Sequence, residues 1–283
     1  MELTGPDLTA GVTFAVLGAA LLHASWNALL KAGSDPLLDT ALVALSGTLV
    51  ALPLVCFVAP PEPASWPYLA TSATIHFGYY TALAGAYKAG DLSHGYPIMR
   101  GSAPLLVALA SAFWFGEHLS PAAWTGVLLI CGGVLSLGLA GGGASRKATA
   151  WALFSALVIS VYTLADGAGA RVSGGAGRYV VWLFVFLGLP FGIGVMIVKR
   201  GAFLRHARQH WWRGLAGATL SGLSYGIALW AMTRAPVAII AALRETSVIF
   251  AALIGAWLLK EGHLKERLVG AAAVLAGLIA LKL

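Results

Sequence analysis

MRGSAPLLVAL (residues 99–109) and LRETSVIFAAL (residues 243–253) are two copies of one pattern, 144 residues apart. The offset aligns like residues along both halves of the chain: Arg100 with Arg244, Ser102 with Thr246, Leu109 with Leu253, Glu117 with Glu261, Gly126 with Gly270, and Gly133 with Gly277. Near the start of each half an offset of 136 pairs Trp26 of HASWNALL with Tyr162 of ISVYTLAD. The sequence therefore predicts two related halves, residues 1–143 and residues 144–283.

The composition indicates an integral membrane protein. Of the 283 residues, 59% are hydrophobic and 10% are charged, whereas a soluble domain has about 25% charged residues. Apolar runs of about 20 residues are typical of membrane-spanning helices. Ten such helices are predicted: 11–30, 38–58, 68–88, 94–115, 121–140, 148–170, 179–198, 212–233, 237–259 and 266–282.

The number of helices in each half sets the relation between the halves. Five is odd, so two consecutive five-helix halves must lie in the membrane with opposite orientation. We therefore expect an all-α fold of ten transmembrane helices in two inverted repeats. Inverted repeats are an architecture of secondary transporters, whose substrate site lies between the repeats near the midplane of the bilayer.

Basic residues are distributed unevenly between the two sides of the predicted membrane. Twelve Lys and Arg residues follow odd-numbered helices, five of them in the predicted 199–213 loop, and four lie on the other side. Basic loops favour the cytoplasmic side, which predicts both termini outside. The net charge of +7 is explained in the same way, and no nucleic-acid partner is expected.

Arg244 and Arg100 are predicted to lie inside the ninth and fourth spans. Arg244 lies about 10 Å inside its span at 1.5 Å per residue. An intramembrane charge costs at least about 2.5–3.5 kcal/mol and usually serves function. A local pair with Glu245 or a side chain that reaches the interface is the alternative. Neighbouring helical residues do not share a face, which disfavours the local pair.

Other polar side chains in the spans are candidates for a substrate cavity. His23 and Asn27 share one face of the first helix, with Trp26 beside them, and lipid cannot satisfy such a stripe. Mid-span phenols need a polar partner or a cavity, and packing is the alternative for each. The predicted substrate-binding set is Arg244, Arg100, His23, Trp26, Asn27, Tyr79, Tyr80 and Tyr225. Asp166 and His23 are candidate proton sites.

Motifs of soluble enzymes and metal sites are not found in the sequence. It has no Walker A loop, no dinucleotide-binding glycine fingerprint and no HExxH pattern. Its two cysteines, Cys56 and Cys131, lie in apolar runs and predict no disulfide framework. We therefore expect a non-enzyme without cofactor or metal. Its expected partners are a small-molecule substrate and the lipid bilayer, and we expect it to be monomeric.

Two stretches resemble the closing part of the EamA domain of the drug/metabolite transporter superfamily: LLVALASAFWFGEHLSPAAWTGVLLICGGVLSLGL (105–139) and IFAALIGAWLLKEGHLKERLVGAAAVLAGLIAL (249–281). That domain has an acid at a helix end, a short polar turn and a glycine-spaced apolar helix. Glu117 and Glu261 match the acid. Gly126, Gly133, Gly270 and Gly277 match the glycines, whose spacing predicts close helix packing. Val248 stands where a family proline is common, and Pro104 keeps that proline in the first half.

The resemblance implies a secondary-active transporter with two EamA repeats. Length and span number are similar to bacterial amino-acid exporters of the YddG type, which implies an inner-membrane exporter of amino acids or related small metabolites working by alternating access. Export of aromatic or cationic drugs is the alternative, and Asp166 is the residue that supports this alternative. A non-transporting membrane protein is an alternative of a different class.

Overall fold

The computed structural model describes residues 8–89, 92–139, 146–257 and 264–281. Within these ranges the side chains of residues 77, 79–89, 92–94, 138–139, 255–257 and 264–268 are not described. The predicted boundary between residues 143 and 144 lies outside the described residues.

Helices make up the described part of the chain, in which no strand occurs. They are α1 (Ala10–Lys31), α2 (Pro36–Leu54), a 3-10 turn (Pro63–Ser65), α3 (Trp66–Ala89), α4 (Leu92–Trp114), α5 (Pro121–Leu139), α6 (Arg146–Arg171), α7 (Ala176–Val198), α8 (Arg200–Met232), α9 (Val237–Arg244), α10 (Ser247–Trp257) and α11 (Leu264–Ala280). Each of the ten predicted spans corresponds to one helix, except that α9 and α10 together form the ninth.

Local sequence signals set several helix starts. Thr9 caps α1 by accepting the backbone N–H of Val12 at 3.3 Å. Asp35 caps α2 by accepting the N–H groups of Leu37 and Leu38 at 3.0 and 3.1 Å, and Pro36 follows it at the first helical position. Such caps satisfy N–H groups that have no partner inside the helix.

The ninth span is broken at Glu245 and Thr246, within the RETS stretch. Here the backbone forms shorter-range bonds: Thr246 N–H donates to Leu243 O at 3.1 Å and Val248 N–H to Glu245 O at 3.0 Å. The Thr246 hydroxyl also donates to Leu243 O, at 2.7 Å. A side-chain hydroxyl that bonds a helix carbonyl often bends the helix, and no proline lies at this break.

Residues 200–213 are helical, and the prediction of residues 199–213 as a loop was wrong. They form the first turns of α8, which is kinked at His210 (φ −124°, ψ 16°), so that a short helix precedes the predicted span. Phe203 is buried in an apolar cluster with Leu38 and Leu42 of α2. This packing explains why a stretch rich in basic residues is ordered as a helix.

The helices pack as two equivalent halves related by a two-fold exchange. Helix α5 packs against α11, and α2 packs against α7, each against its counterpart in the other half. Helix α3 packs on α6 and α1 packs on α8, two contacts that convert into one another when the halves are exchanged. The fold is therefore an all-α arrangement of two inverted five-helix repeats.

The outer surface is apolar, as expected for a protein in lipid. Within the described residues six stretches are long and apolar enough to cross a membrane: α1, α2, α6, α7, α8 and Val237–Ile254. Large apolar side chains face outward, and Phe113 is 91% exposed and Ile197 72% exposed. Soluble proteins rarely expose so many large apolar side chains to water. The protein is therefore a multi-pass membrane protein.

The four predicted packing glycines all lie where α5 meets α11. A Cβ at Gly133 would lie 2.9 Å from Gly270 O and 2.8 Å from the Cβ of Ala273. A Cβ at Gly126 would lie 2.9 Å from Gly277 O. Backbone lies against backbone at these points, which only a residue without a side chain permits.

Candidate functional site

A cavity of about 210 Å³ lies between the two halves. Side chains from α1, α2, α3, α4, α6, α7, α8 and α9 line it. Six members of the predicted substrate-binding set are among them: His23, Trp26, Asn27, Arg100, Tyr225 and Arg244. The side chains of the other two, Tyr79 and Tyr80, lie outside the described residues.

Glu245 pairs with the arginine of the other half and not with its neighbour in sequence. Its Oε1 lies 3.0 Å from Nη2 of Arg100, and the two side chains are 5% and 10% exposed. The contact joins α4 to the break between α9 and α10. Because adjacent residues point in different directions, this leaves Arg244 on another side of the chain.

Arg244 is half-buried and lines the cavity. Its guanidinium carbon lies 5.1 Å from the centre of the Tyr225 ring, a cation–π contact with α8. Within the described part of the chain, Nε of Arg244 has no hydrogen-bond partner. A guanidinium offers five N–H donors, and the side chain that carries this one lies at the cavity wall.

Asp166 lies behind the cavity wall. It is fully buried and is not among the lining residues. Its Oδ1 accepts the hydroxyl of Tyr179 at 2.8 Å, and its Oδ2 accepts that of Tyr225 at 2.5 Å. The carboxylate thus connects α6, α7 and α8. The ring of Tyr225 separates it from Arg244.

The polar stripe of α1 is organised by bonds within the helix. The indole N–H of Trp26 donates to Nδ1 of His23 at 3.3 Å, and the two rings meet edge to face at 5.4 Å. The Asn27 amide donates to the carbonyl of His23 at 2.8 Å. An Nδ1 that accepts a hydrogen bond carries no proton, so in this conformation His23 holds its proton at Nε2. Its predicted role as a proton site, like that of Asp166, stays a prediction.

Aromatic side chains that the prediction did not include complete the walls. Tyr162 lies against His76 with ring centres 4.1 Å apart, and Phe184 lies 6.5 Å from the ring of Tyr225. Tyr96 also lines the cavity. Tyr162 could have been found from the repeat, because Tyr162 aligns with Trp26. Tyr96 precedes Arg100 by four residues and therefore shares its helix face.

The charge of the cavity wall is positive. Among the described residues that line it are two arginines and no Asp or Glu. Glu245 balances Arg100, which leaves the charge of Arg244 at the surface of the cavity. Such a wall attracts an anionic group and repels a cation.

Glu117 lies outside the cavity and holds in place one of the helices that line it. Its Oε1 lies 2.7 Å from Nη2 of Arg171 at the end of α6. Its two carboxylate oxygens accept the N–H of Val237, the first residue of α9, at 3.1 and 3.0 Å. The acid therefore anchors the start of the helix that ends at Arg244. Glu261, its counterpart in the second half, lies outside the described residues.

Comparisons with known proteins agree with this architecture. The model of the EamA-like transporter family matches the chain twice, over residues 10–139 and 146–283. A solved crystal structure superimposes with a TM-score of 0.74 at 23% sequence identity, covering 96% of this chain and 98% of that one. No curated protein was found to match.

Proposed function

Because the chain belongs to the EamA-like transporter family, we propose that it is a secondary-active transporter that exports amino acids or related small metabolites by alternating access. It is a membrane transporter of the drug/metabolite type by family. The substrate, the direction of transport and the mechanism are the proposal. Inverted repeats around a central cavity support alternating access, since one half can rock against the other around a fixed site.

The observation that carries the proposal is the state of Arg244. Its side chain lines the cavity, and the neighbouring acid, Glu245, is bound to Arg100. A substrate carboxylate would balance the charge of Arg244, and arginine binds carboxylates through two parallel hydrogen bonds.

The remaining members of the binding set have supporting roles. Arg100 holds Glu245 and thereby fixes the junction that carries Arg244. His23, Trp26, Asn27 and Tyr225 shape the wall against which the rest of the substrate packs. Tyr79 and Tyr80 stay predictions.

Two properties of the cavity favour a small anion or zwitterion over a cationic drug. The described lining residues include no carboxylate that would bind a cation. The volume of about 210 Å³ is below the range of about 300–1,000 Å³ that is usual for pockets of drug-sized ligands. The size fits a single small metabolite.

Cell location and assembly are part of the same proposal. We place the protein in a bacterial inner membrane with both termini outside, as the distribution of basic residues favours. A monomer suffices, because one chain holds both repeats and the cavity between them.

The test is transport by purified protein in proteoliposomes, with a panel of amino acids inside and an imposed pH gradient or none. Arg244→Ala should weaken binding by about 1.5–3 kcal/mol, or roughly ten- to over a hundredfold in affinity. Arg244→Lys should lose less, because it keeps the charge but lacks the planar fork. Arg234→Ala is the matched control, because Arg234 is exposed and contacts Trp230 outside the cavity.

Two outcomes would contradict the proposal. Transport of no amino acid under any gradient would favour the non-transporting alternative. Unchanged affinity and rate in a folded Arg244→Ala protein would remove Arg244 from the site.

A further inference from the structure

We infer that the cavity recognises its substrate by a carboxylate and an aromatic or apolar side chain, and that the substrate needs no amino group. The site would then take small aromatic monocarboxylates at least as well as the matching amino acids. The inference rests on the proposed function, because it defines the substrate class of the same site.

The first step concerns the acids near the cavity. An α-amino acid carries an ammonium group, and a site that requires it usually offers a carboxylate. Glu245 has its Oε1 engaged by Arg100 and is 4% exposed. Asp166 has both oxygens engaged by Tyr179 and Tyr225 and lies behind the wall. Neither acid is among the described residues that line the cavity.

The second step concerns where the ammonium would lie. In an α-amino acid the carboxylate and the ammonium are attached to the same carbon. A carboxylate bound to Arg244 therefore holds the ammonium within a few ångströms of the guanidinium. Two like charges at that separation repel, more so in a site partly shielded from water.

The third step concerns neutral acceptors for the three ammonium N–H groups. Nδ1 of His23 already accepts the indole N–H of Trp26. The guanidinium of Arg244 lies over the ring of Tyr225, so that ring already makes a cation–π contact with Arg244. The remaining neutral oxygens of the wall, such as those of Asn27, Ser221 and Tyr96, can accept a hydrogen bond from an ammonium but carry no charge to offset its loss of hydration.

The fourth step concerns the side chain of the substrate. The walls carry rings in pairs: His76 with Tyr162 at 4.1 Å, and Phe184 with Tyr225 at 6.5 Å. Aromatic pairs gain stability in offset and edge-to-face geometries. A substrate ring extends this array.

The experiment compares three probes that differ by one group. L-phenylalanine has the ring, carboxylate and amine; 3-phenylpropionate lacks the amine; 2-phenylethylamine lacks the carboxylate. Binding to the full chain in detergent is measured at neutral pH by calorimetry. We expect 3-phenylpropionate to bind within about threefold of L-phenylalanine or more tightly, because the amine adds repulsion. We expect 2-phenylethylamine to bind at least about tenfold more weakly, because a charge-assisted contact is absent.

The same measurement on two variants tests the role of Arg244. Arg244→Gln should weaken the binding of L-phenylalanine and of 3-phenylpropionate by a similar factor, while Arg234→Gln should change the affinity for neither.

The outcomes separate this inference from the proposed function. If L-phenylalanine binds and 3-phenylpropionate binds more than about tenfold more weakly, the amine is required, and the inference fails while the proposed function stands. If no probe binds but another amino acid is transported, the aromatic preference is wrong and the inference fails alone. If 2-phenylethylamine binds best, both fail.

Discussion

The buried ion pair between Arg100 and Glu245 is expected to hold the two halves together in this conformation. Its Nη2–Oε1 distance is 3.0 Å, and the side chains are 10% and 5% exposed. Removing one partner of a buried pair costs about 3–5 kcal/mol, whereas replacing both with apolar residues is often neutral. Glu245→Met should cost more than Arg100→Met, because it leaves two arginines facing each other. In Arg100→Met, Glu245 still has the charge of Arg244 nearby.

A double-mutant cycle measures this coupling. The four proteins are unfolded in mixed micelles by increasing the fraction of denaturing detergent, and helix loss is followed by circular dichroism. Each single variant should lose about 3–5 kcal/mol of unfolding free energy, and the double variant should recover most of it. The exposed pair Arg178–Glu62, with 3.7 Å between Nη1 and Oε1, is the control and should couple by less than about 1 kcal/mol. Independent sites couple by no more than about 0.5 kcal/mol. A coupling this small between Arg100 and Glu245 would show that the ion pair does not hold the two halves together.

Three further predictions test other parts of the structure. Glu117→Gln should lower the unfolding free energy by about 1.5–3 kcal/mol in the same assay, because it weakens the charge-assisted bonds to Arg171 and to the start of α9; an unchanged midpoint would contradict this role. Gly133→Leu should yield aggregated protein on size-exclusion chromatography, whereas Gly132→Leu should fold, because a Cβ at Gly132 meets nothing within 4 Å; equal yields of folded protein would contradict the packing. A reporter that works only in the cytoplasm should be inactive when fused after Leu283, and activity there would reverse the predicted orientation.

The ten spans and the two halves could be predicted because they depend on composition and repetition. Apolar length determines whether a segment crosses a bilayer, and an offset of 144 residues can be read from the sequence alone. Helical structure at residues 200–210 could not be predicted in this way. It depends on the burial of Phe203 against α2, and a basic segment beside a membrane has the composition of a loop.

The candidate site was predicted only in part, because sequence indicates which residues are costly to bury and not how they pair. Arg100 and Arg244 stood out as charges inside apolar spans. The partner of Glu245 could not be deduced, since it lies 145 residues away in the chain. The position of Asp166 behind Tyr225 likewise depends on how α6, α7 and α8 come together.

The different states of the two arginines follow from one departure from the repeat. The alignment that pairs Arg100 with Arg244 pairs Glu245 with Gly101. A Cβ at Gly101 would lie 3.0 Å from the carbonyl of Cys131 and 2.6 Å from Cγ of Leu135, so α5 leaves no room there for an acid. The first half therefore cannot offer Arg244 the partner that the second half offers Arg100. An otherwise two-fold site then carries one balanced arginine and one whose charge is left for a ligand, and a single carboxylate is what this asymmetry can bind.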